Sequence, residues 1–481
     1  MNILFIIIFI AYFLAPYQLF ALGTYGVTAS DIAIGLFIII FFKKALWDGE
    51  KFSFAYHNGI TFLFILVFAA IVSGITPLLL SSKPMIIQYL KTSLHLFFFI
   101  CFPLICSIFM IKTKSLNSVI KIWLVLGFLL NLFGIYQIIA RAYDLPLAWL
   151  TYTNISMVSR VETSIEDFSQ LSLQYGDFFR ATSIFSEPSA LAVFNVYMIV
   201  FLIIPYIQNQ QPFFKSKLVN ILFFTASFIA TFLTFSMSAF IGIILVIGSI
   251  ILFEKARQVK LLLKILIAFL VVIVVTDYIV YSYSETSVLN LFKKRIEGIV
   301  HYGTGKKETT LGESFGGRLA TAKKSIILWE SYPINGIGLG LTSYNKQIDL
   351  KFSDFSIFAA LAEMGIIGFL TFTSLFAALF VITIKFIVRK EIYYDLPPDE
   401  KRLSGLLYYL MLIQFLINFI TGNNLVNVGL WIPMALIYSA LGNILILKNQ
   451  NVKQLAFVSE PLKLTFSRYI NKDNEKMSSK L

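Results

Sequence analysis

The chain has 481 residues, of which 58% are hydrophobic and only 14% charged, with a formal net charge of +13. A soluble chain of this length is about a quarter charged, so a water-facing surface is excluded and lipid must cover most of the perimeter. In lipid every backbone N–H and C=O needs an internal partner, which leaves helices or a closed barrel.

The apolar runs are continuous and ~20 residues long, which suits helices rather than barrel strands. In chain order they predict twelve spans, at about 2–21, 30–42, 58–80, 85–110, 118–140, 186–206, 218–235, 237–253, 262–283, 355–384, 404–421 and 427–447. The first begins MNILFIIIFIAYFL, with no basic stretch before it and no small-residue cleavage site. It therefore reads as a span, not a cleaved leader. Cys101 and Cys106 fall in the fourth run without metal spacing and read as core residues. His57, His95 and His301 are too scattered to suggest a metal site.

Basic residues set the expected orientation. With the N-terminus in the cytoplasm, the five short inner loops and the tail after residue 447 hold twenty-four Lys and Arg, while the short outer loops hold only Lys83. Membrane proteins keep Lys and Arg on cytoplasmic loops, so the net charge needs no nucleic-acid partner. The expectation is one transmembrane domain over 1–447, a basic cytoplasmic tail over 448–481, and both termini inside the cytoplasmic membrane.

Two predicted outer loops are long, about 141–185 and 284–354. Loops of that length usually carry function. The first ends RATSIFSEPSALAVF. Arg180 is a residue type preferred for phosphate oxygens, and Glu187 precedes Pro188 at the start of the sixth span. Glu187 reads either as a helix-capping acid or as a carboxylate held at the membrane surface. The second loop holds FGGRLATAKKSIILWESYPINGIGLG. Leu319, Ala322, Ile326 and Trp329 fall at helical spacing. Arg318 then lies in the first turn, Lys323 and Lys324 follow, and Pro333 ends the helix. Gly336, Gly338 and Gly340 read as a turn packed closely on the bundle, ahead of a phosphate cradle.

Past this loop, Asp354 stands at the mouth of the tenth span and Glu363 lies about two and a half turns deeper. Ionisable groups inside a span are usually functional or paired, and Asp277 in the ninth run is another. Gly365 and Gly368 suggest close helix packing. No internal repeat and no inverted pair of broken helices is evident, which weighs against a repeat-built transporter.

Four features occur in order on the two loops and the following span. They are the Arg180–Pro188 stretch, R-x-x-x-A from Arg318, P-x-x-G-x-G-x-G from Pro333, and x-E-x-G-I-I-G around Glu363 to Gly368. The set resembles the O-antigen polymerase and ligase superfamily, which includes the Wzy-type polymerases. Its informative part covers about 185–345 and the tenth span; the other spans match by topology alone.

The resemblance implies an all-α, GT-C-like integral membrane glycosyltransferase that takes undecaprenyl-pyrophosphate-linked oligosaccharide at the outer face of the cytoplasmic membrane, without metal or nucleotide cofactor. It implies Arg180 and Arg318 as pyrophosphate ligands, with Lys323 and Lys324 beside them, and a flippase and chain-length regulator as partners in the surrounding lipid. The ligases of the superfamily carry His eleven residues before the first Gly of G-x-x-G. Here that position is Asp354, followed by Phe355. A polymerase is therefore expected over a ligase, with Asp354 or Glu187 as catalytic base, Asp354 being favoured and Glu187 then a structural or acceptor-binding acid. A ligase acting on lipid or protein, and a flippase or other transporter, are the alternatives.

Overall fold

The computed structural model describes residues 1–22, 25–48, 56–109, 111–154, 170, 174–175, 178–303, 313–344, 356–388, 396–420 and 425–452. The chain opens with α1 (Asn2–Tyr12), a hairpin of β1 (Gln18–Leu22) and β2 (Tyr25–Thr28), and α2 (Ala29–Leu46). There follow α3 (Asn58–Val72), α4 (Ile75–Leu79), α5 (Lys83–Ile108), α6 (Thr113–Ala142), and the two-residue strands β3 (Gln174–Tyr175) and β4 (Phe178–Phe179). Then come α7 (Pro188–Ile207), α8 (Lys217–Leu233), α9 (Met237–Phe253), α10 (Ala256–Ser284), α11 (Val288–Gly303) and α12 (Glu313–Ser331). A 3-10 turn at Thr342–Tyr344 precedes α13 (Ser356–Val388), α14 (Pro398–Ile420) and α15 (Val428–Val452).

Each of the twelve predicted apolar runs carries a helix. Among the described residues eight helices are long and apolar enough to cross a membrane. Three more, α1, α8 and α9, are apolar but shorter, and α2 bears Asp31, Lys43 and Lys44. The protein is thus a helical, membrane-spanning bundle. Its apolar side chains gain little by leaving lipid for one another, so close packing holds the helices together. The best-buried spans are those of α14 and α15, with 89% and 83% of their apolar windows inside, against 11% for α10. Thus α14 and α15 form the centre, with α5, α7 and α13 packed on them, and α10 lies on the rim.

Three expectations need correction. The first run does not stay helical to residue 21. After Tyr12 a turn takes over, with Leu14 N–H on Ala11 O and Tyr17 N–H on Leu14 O, because Pro16 has no N–H to continue the ladder. β1 and β2 then pair antiparallel, Phe20 opposite Val27 and Leu22 opposite Tyr25. Nor is the tenth span one straight helix, since α13 breaks at Gly365. In the second long loop α12 begins at Glu313, so Arg318 lies in its second turn. Its buried residues are Ala322, Ser325 and Leu328 while Leu319 is exposed. The packed face is therefore rotated from the predicted one and lies against α13.

Helix ends divide the bundle into two poles. The β-hairpin, the described residues between 141 and 187, the α8–α9 turn, α11 and α12 share one pole, here called the loop pole. The described Lys- and Arg-bearing helix ends opposite, among them Lys43, Lys112, Lys215 and Lys255, share the other.

Candidate functional site

The last turn of α6 brings a charge into the fold at Arg141, 3% exposed. Its Nε donates to Ala148 O at 2.9 Å and its Nη1 to Arg180 O at 2.6 Å. Nη2 reaches Gln170 Oε1 at 2.7 Å and Thr182 Oγ1 at 2.6 Å. The guanidinium plane lies 4.3 Å from the centre of the Trp149 ring. Gln137, one turn earlier on α6, closes the network by donating to Gln170 Oε1 and accepting from Thr182 Oγ1, both at 3.1 Å. A buried cation is tolerable only when its donors are met, and here carbonyl, amide and hydroxyl oxygens meet them. Arg141 stood at the edge of the predicted loop and passed unremarked. A Gln-x-x-x-Arg pair on one helix face, ending an apolar run, was the available signal.

Arg180 runs the opposite way. Its Nε donates to Thr234 O at 2.7 Å, and Nη2 lies 3.5 Å from Phe235 O. The next residue joins in, with Ala181 N–H on Leu233 O at 3.1 Å. A helix leaves its last carbonyls without intrahelical partners. The 180–181 segment supplies partners at the end of α8, where Phe235 turns the chain at φ +51°.

A second guanidinium reaches the same turn. Arg295 Nη1 donates to Phe235 O at 2.7 Å and lies over the Phe235 ring, 5.0 Å from its centre. It comes from α11, whose start is fixed by Asp277 of α10. Asp277 accepts from Leu289 N–H at 3.0 Å and from the Ser287 hydroxyl at 2.9 Å. That carboxylate is therefore a cap for the next helix. Val288, Leu291 and Phe292 bury one face of α11, and Phe292 packs on Phe232, Phe235 and Phe240. Arg295 lies one turn beyond Phe292, so burial of Phe292 delivers it to the turn. Reading the 288–295 run at helical spacing would have found it: Val, Leu, Phe, Arg at i, i+3, i+4, i+7.

Two guanidiniums on one carbonyl oxygen concentrate positive charge in a half-buried place, where an anion is favoured. Well below this turn, nearer the basic pole, α7, α8, α9 and α10 line a narrow apolar cavity of about 30 Å³, with Val196, Phe224, Phe228, Val246, Ile250 and Phe269 in its wall.

Glu187 is the N-cap residue of α7, with Pro188 in the first turn. Its side chain does not cap the helix. The carboxylate is exposed and accepts the Ser189 hydroxyl at 2.8 Å. Tyr152 stands close by, donating to Phe185 O, and burial pushes its phenol above the ordinary value.

The glycine turn packs on the break in α13. Gly365 has φ +63° and ψ −161°, which interrupts the helical hydrogen bonds. The turn takes up the groups so released. Ile337 N–H donates to Ala362 O at 3.0 Å and Gly338 N–H to Glu363 O at 2.9 Å. In return Ile366 N–H donates to Pro333 O at 2.9 Å. Thr76 of α4 donates to Gly336 O at 2.6 Å and accepts from Asn335 Nδ2 at 2.7 Å. The close-packing reading of these glycines is thus the one found. Glu363 is buried within the break, 6% exposed. Arg318 and Lys324 are half-buried on α12 and Lys323 is exposed. Asp354 lies outside the described residues.

The structure therefore joins Arg180 to a residue the sequence reading missed, Arg295. It carries Glu187 on the same segment as Arg180, and sets Arg318, Lys323 and Lys324 on a separate helix fixed against α13. No protein-family model matches the chain, and no curated protein does.

Proposed function

We propose that this chain is a polysaccharide polymerase: a membrane glycosyltransferase that joins oligosaccharide repeat units carried on a polyprenyl pyrophosphate into surface polysaccharide. The observation that carries the proposal is the pair Arg180 and Arg295 on the Phe235 carbonyl, at the loop pole of a membrane-spanning bundle. Two fixed guanidiniums at the end of a lipid-embedded bundle suit the anionic head group of a lipid. In this reading all twelve apolar runs cross the bilayer in a GT-C-like arrangement, the first as α1 together with the turn that follows it, both termini are cytoplasmic, and the loop pole faces out of the cytoplasmic membrane. The donor is undecaprenyl-pyrophosphate-linked oligosaccharide; a flippase delivers it and a chain-length regulator acts beside it.

The acceptor hydroxyl attacks the anomeric carbon, the bond to the phosphate oxygen breaks, and the electron pair leaves with the pyrophosphate. Guanidiniums fixed before the reaction stabilise that developing charge at no reorganisation cost. Arg318, with Lys323 and Lys324, would meet the same leaving group from α12. The proton goes to a base at the loop pole, for which Glu187 and Asp354 are two candidates. The decisive experiment gives the purified protein a polyprenyl-pyrophosphate-linked repeat in EDTA, without nucleotide. The glycan should lengthen. A strict need for a divalent ion would overturn the arginine account, because the ion would then carry the neutralisation.

The broken helix favours a second reading, a flippase or transporter, since such proteins bind cargo at interrupted helices. Against it, the glycine turn already takes the Ala362 and Glu363 carbonyls. A ligase reading has no comparable observation behind it.

A further inference from the structure

Three segments outside the arginine site meet beside α5. β2 brings Tyr25, the first turn of α2 brings Asp31, and α5 brings Lys91, Thr92 and His95. Tyr25 Oη lies 2.8 Å from His95 Nε2, and Asp31 Oδ1 lies 3.8 Å from the same nitrogen. The imidazole stands edge-on to the Tyr25 ring at 4.8 Å and packs against Phe99 at 4.4 Å. The Lys91 ammonium lies 5.9 Å from the centre of the Tyr25 ring.

Asp31 has a capping task that uses only half of its carboxylate. Oδ2 accepts from both the N–H and the hydroxyl of Thr28 at 2.8 Å, and Thr28 Oγ1 accepts the Asp31 N–H at 3.3 Å. That completes a capping box and leaves Oδ1 on the imidazole. Both orienting groups fall on Nε2. A carboxylate beside Nε2 favours the proton there, which leaves the lone pair on Nδ1. The side chains are 23% exposed for His95 and 12% for Asp31, so the cluster is held in place yet reachable.

Its position matters as much. Thr92, one turn from His95 on α5, is the residue against which Gly340 packs; a Cβ there would meet Thr92 Oγ1 at 2.4 Å. On the other side, Gly26 beside Tyr25 abuts Asn154 of the first long loop, and Asn154 Nδ2 donates to Ala15 O at 2.9 Å. The hairpin thus touches His95 through Tyr25, the first loop reaches the hairpin at Gly26, and the glycine turn reaches Thr92, one turn from His95.

The geometry points to His95 as the general base of the transfer, with Asp31 and Tyr25 as positioning residues; this rests on the proposed glycosyl transfer. The acceptor hydroxyl gives its proton to Nδ1 as its oxygen forms the new bond to the anomeric carbon. The carbon–phosphate-oxygen bond breaks toward the pyrophosphate, and Nδ1 then returns the proton to water. Among the described residues, the titratable groups near the imidazole are Asp31 from α2, Tyr25 from β2 and Lys91 from α5.

The test uses the full chain in lipid nanodiscs with a polyprenyl-pyrophosphate-linked repeat unit, following kcat and KM against pH. If the wild type elongates the glycan, His95→Gln should lower kcat by ~10²–10⁴-fold, leave the donor KM unchanged, and abolish the acid limb of the profile. Asp31→Asn, which keeps the shape of the cap, should lower kcat and leave the donor KM unchanged, because the imidazole loses the carboxylate that orients it. This second variant decides the matter even if His95→Gln does not fold. Turnover of His95→Gln within about threefold of wild type, or wild-type kcat in Asp31→Asn, overturns the assignment while leaving the transferase reading intact. An acid limb abolished by Glu187→Gln or Asp354→Asn and retained in His95→Gln also overturns it and gives the role to that acid. A wild type that never elongates the glycan overturns both.

Discussion

The backbone oxygen of Arg180 accepts from Arg141 Nη1 at 2.6 Å, while the Arg180 side chain turns away onto Thr234. One arginine holds the main chain so that the other can present its guanidinium elsewhere. Replacing Arg141 with Met keeps the apolar stem and removes the guanidinium donors from the carbonyls of Ala148 and Arg180, while Gln170 and Thr182 keep Gln137. Each orphaned buried group costs about 1–3 kcal/mol. Arg141→Met should therefore lower the melting temperature in detergent and weaken lipid-pyrophosphate binding together. Unchanged binding would mean that Arg180 keeps its place without this support.

Arg180 and Arg295 share one carbonyl, so their losses should not be independent. A charge-assisted hydrogen bond contributes about 1.5–3 kcal/mol, which corresponds to roughly ten- to hundredfold in affinity. Isothermal titration with farnesyl pyrophosphate should show a loss of that order for Arg295→Ala. The Arg180→Ala, Arg295→Ala double variant should lose less than the two single losses added. Arg318→Ala should abolish polymer and Arg318→Lys rescue it poorly, since a point charge cannot replace a planar fork. Full polymer from Arg318→Ala would reduce that residue to surface charge.

The glycines make a steric prediction. A Cβ on Gly336, at φ +70°, would lie 2.3 Å from the Glu363 carbonyl carbon, and one on Gly365 would lie 2.3 Å from Ile334 O. Either Ala substitution should cost about 3 kcal/mol or more, because backbone must move on both sides. Gly317 in α12 has nothing within 4 Å of such a Cβ, so Gly317→Ala should be neutral or stabilising. Membrane yield and thermal unfolding of the three variants check the contrast.

At the basic pole, burial holds the His57 imidazole down, to about 4. It is packed against Tyr438, and neither ring nitrogen has a hydrogen-bond partner among the described residues. The unfolded chain takes up this proton near the ordinary value of 6.5, and the folded chain does not until about 4. The stability from keeping His57 neutral is thus fully present above pH 6.5 and is lost as the pH falls toward 4. The loss totals about 3 kcal/mol. His57→Leu should flatten the dependence of melting temperature on pH in that window. An equal slope in both proteins would place the sensitivity elsewhere.

Most of the bundle was legible because lipid imposes one rule on every span: a long apolar run must become a helix. The rule fails where the backbone leaves the hydrocarbon. Pro16 ended α1 early, and only the pairing partner across the turn showed that a hairpin would replace the missing turns. Gly365 looked like a packing notch, because a break is stable only when distant N–H groups at Ile337 and Gly338 take up its carbonyls. Arg180, Glu187 and Arg318 were visible as charges in loops. Arg141, Arg295 and His95 were not, since each lies on a helix among apolar neighbours and draws its meaning from a segment far away in sequence.

The rim helix α10 has a bearing on all of this. Its 29 residues run about 44 Å, well beyond the ~30 Å hydrocarbon layer, and little of it is held by protein. A helix of that length matches its surroundings by tilting. Through Asp277, the same helix sets the start of α11 and so the reach of Arg295. The thickness of the host membrane is thereby coupled to the spacing of the two guanidiniums, and the lipid becomes a setting of the site as well as its solvent.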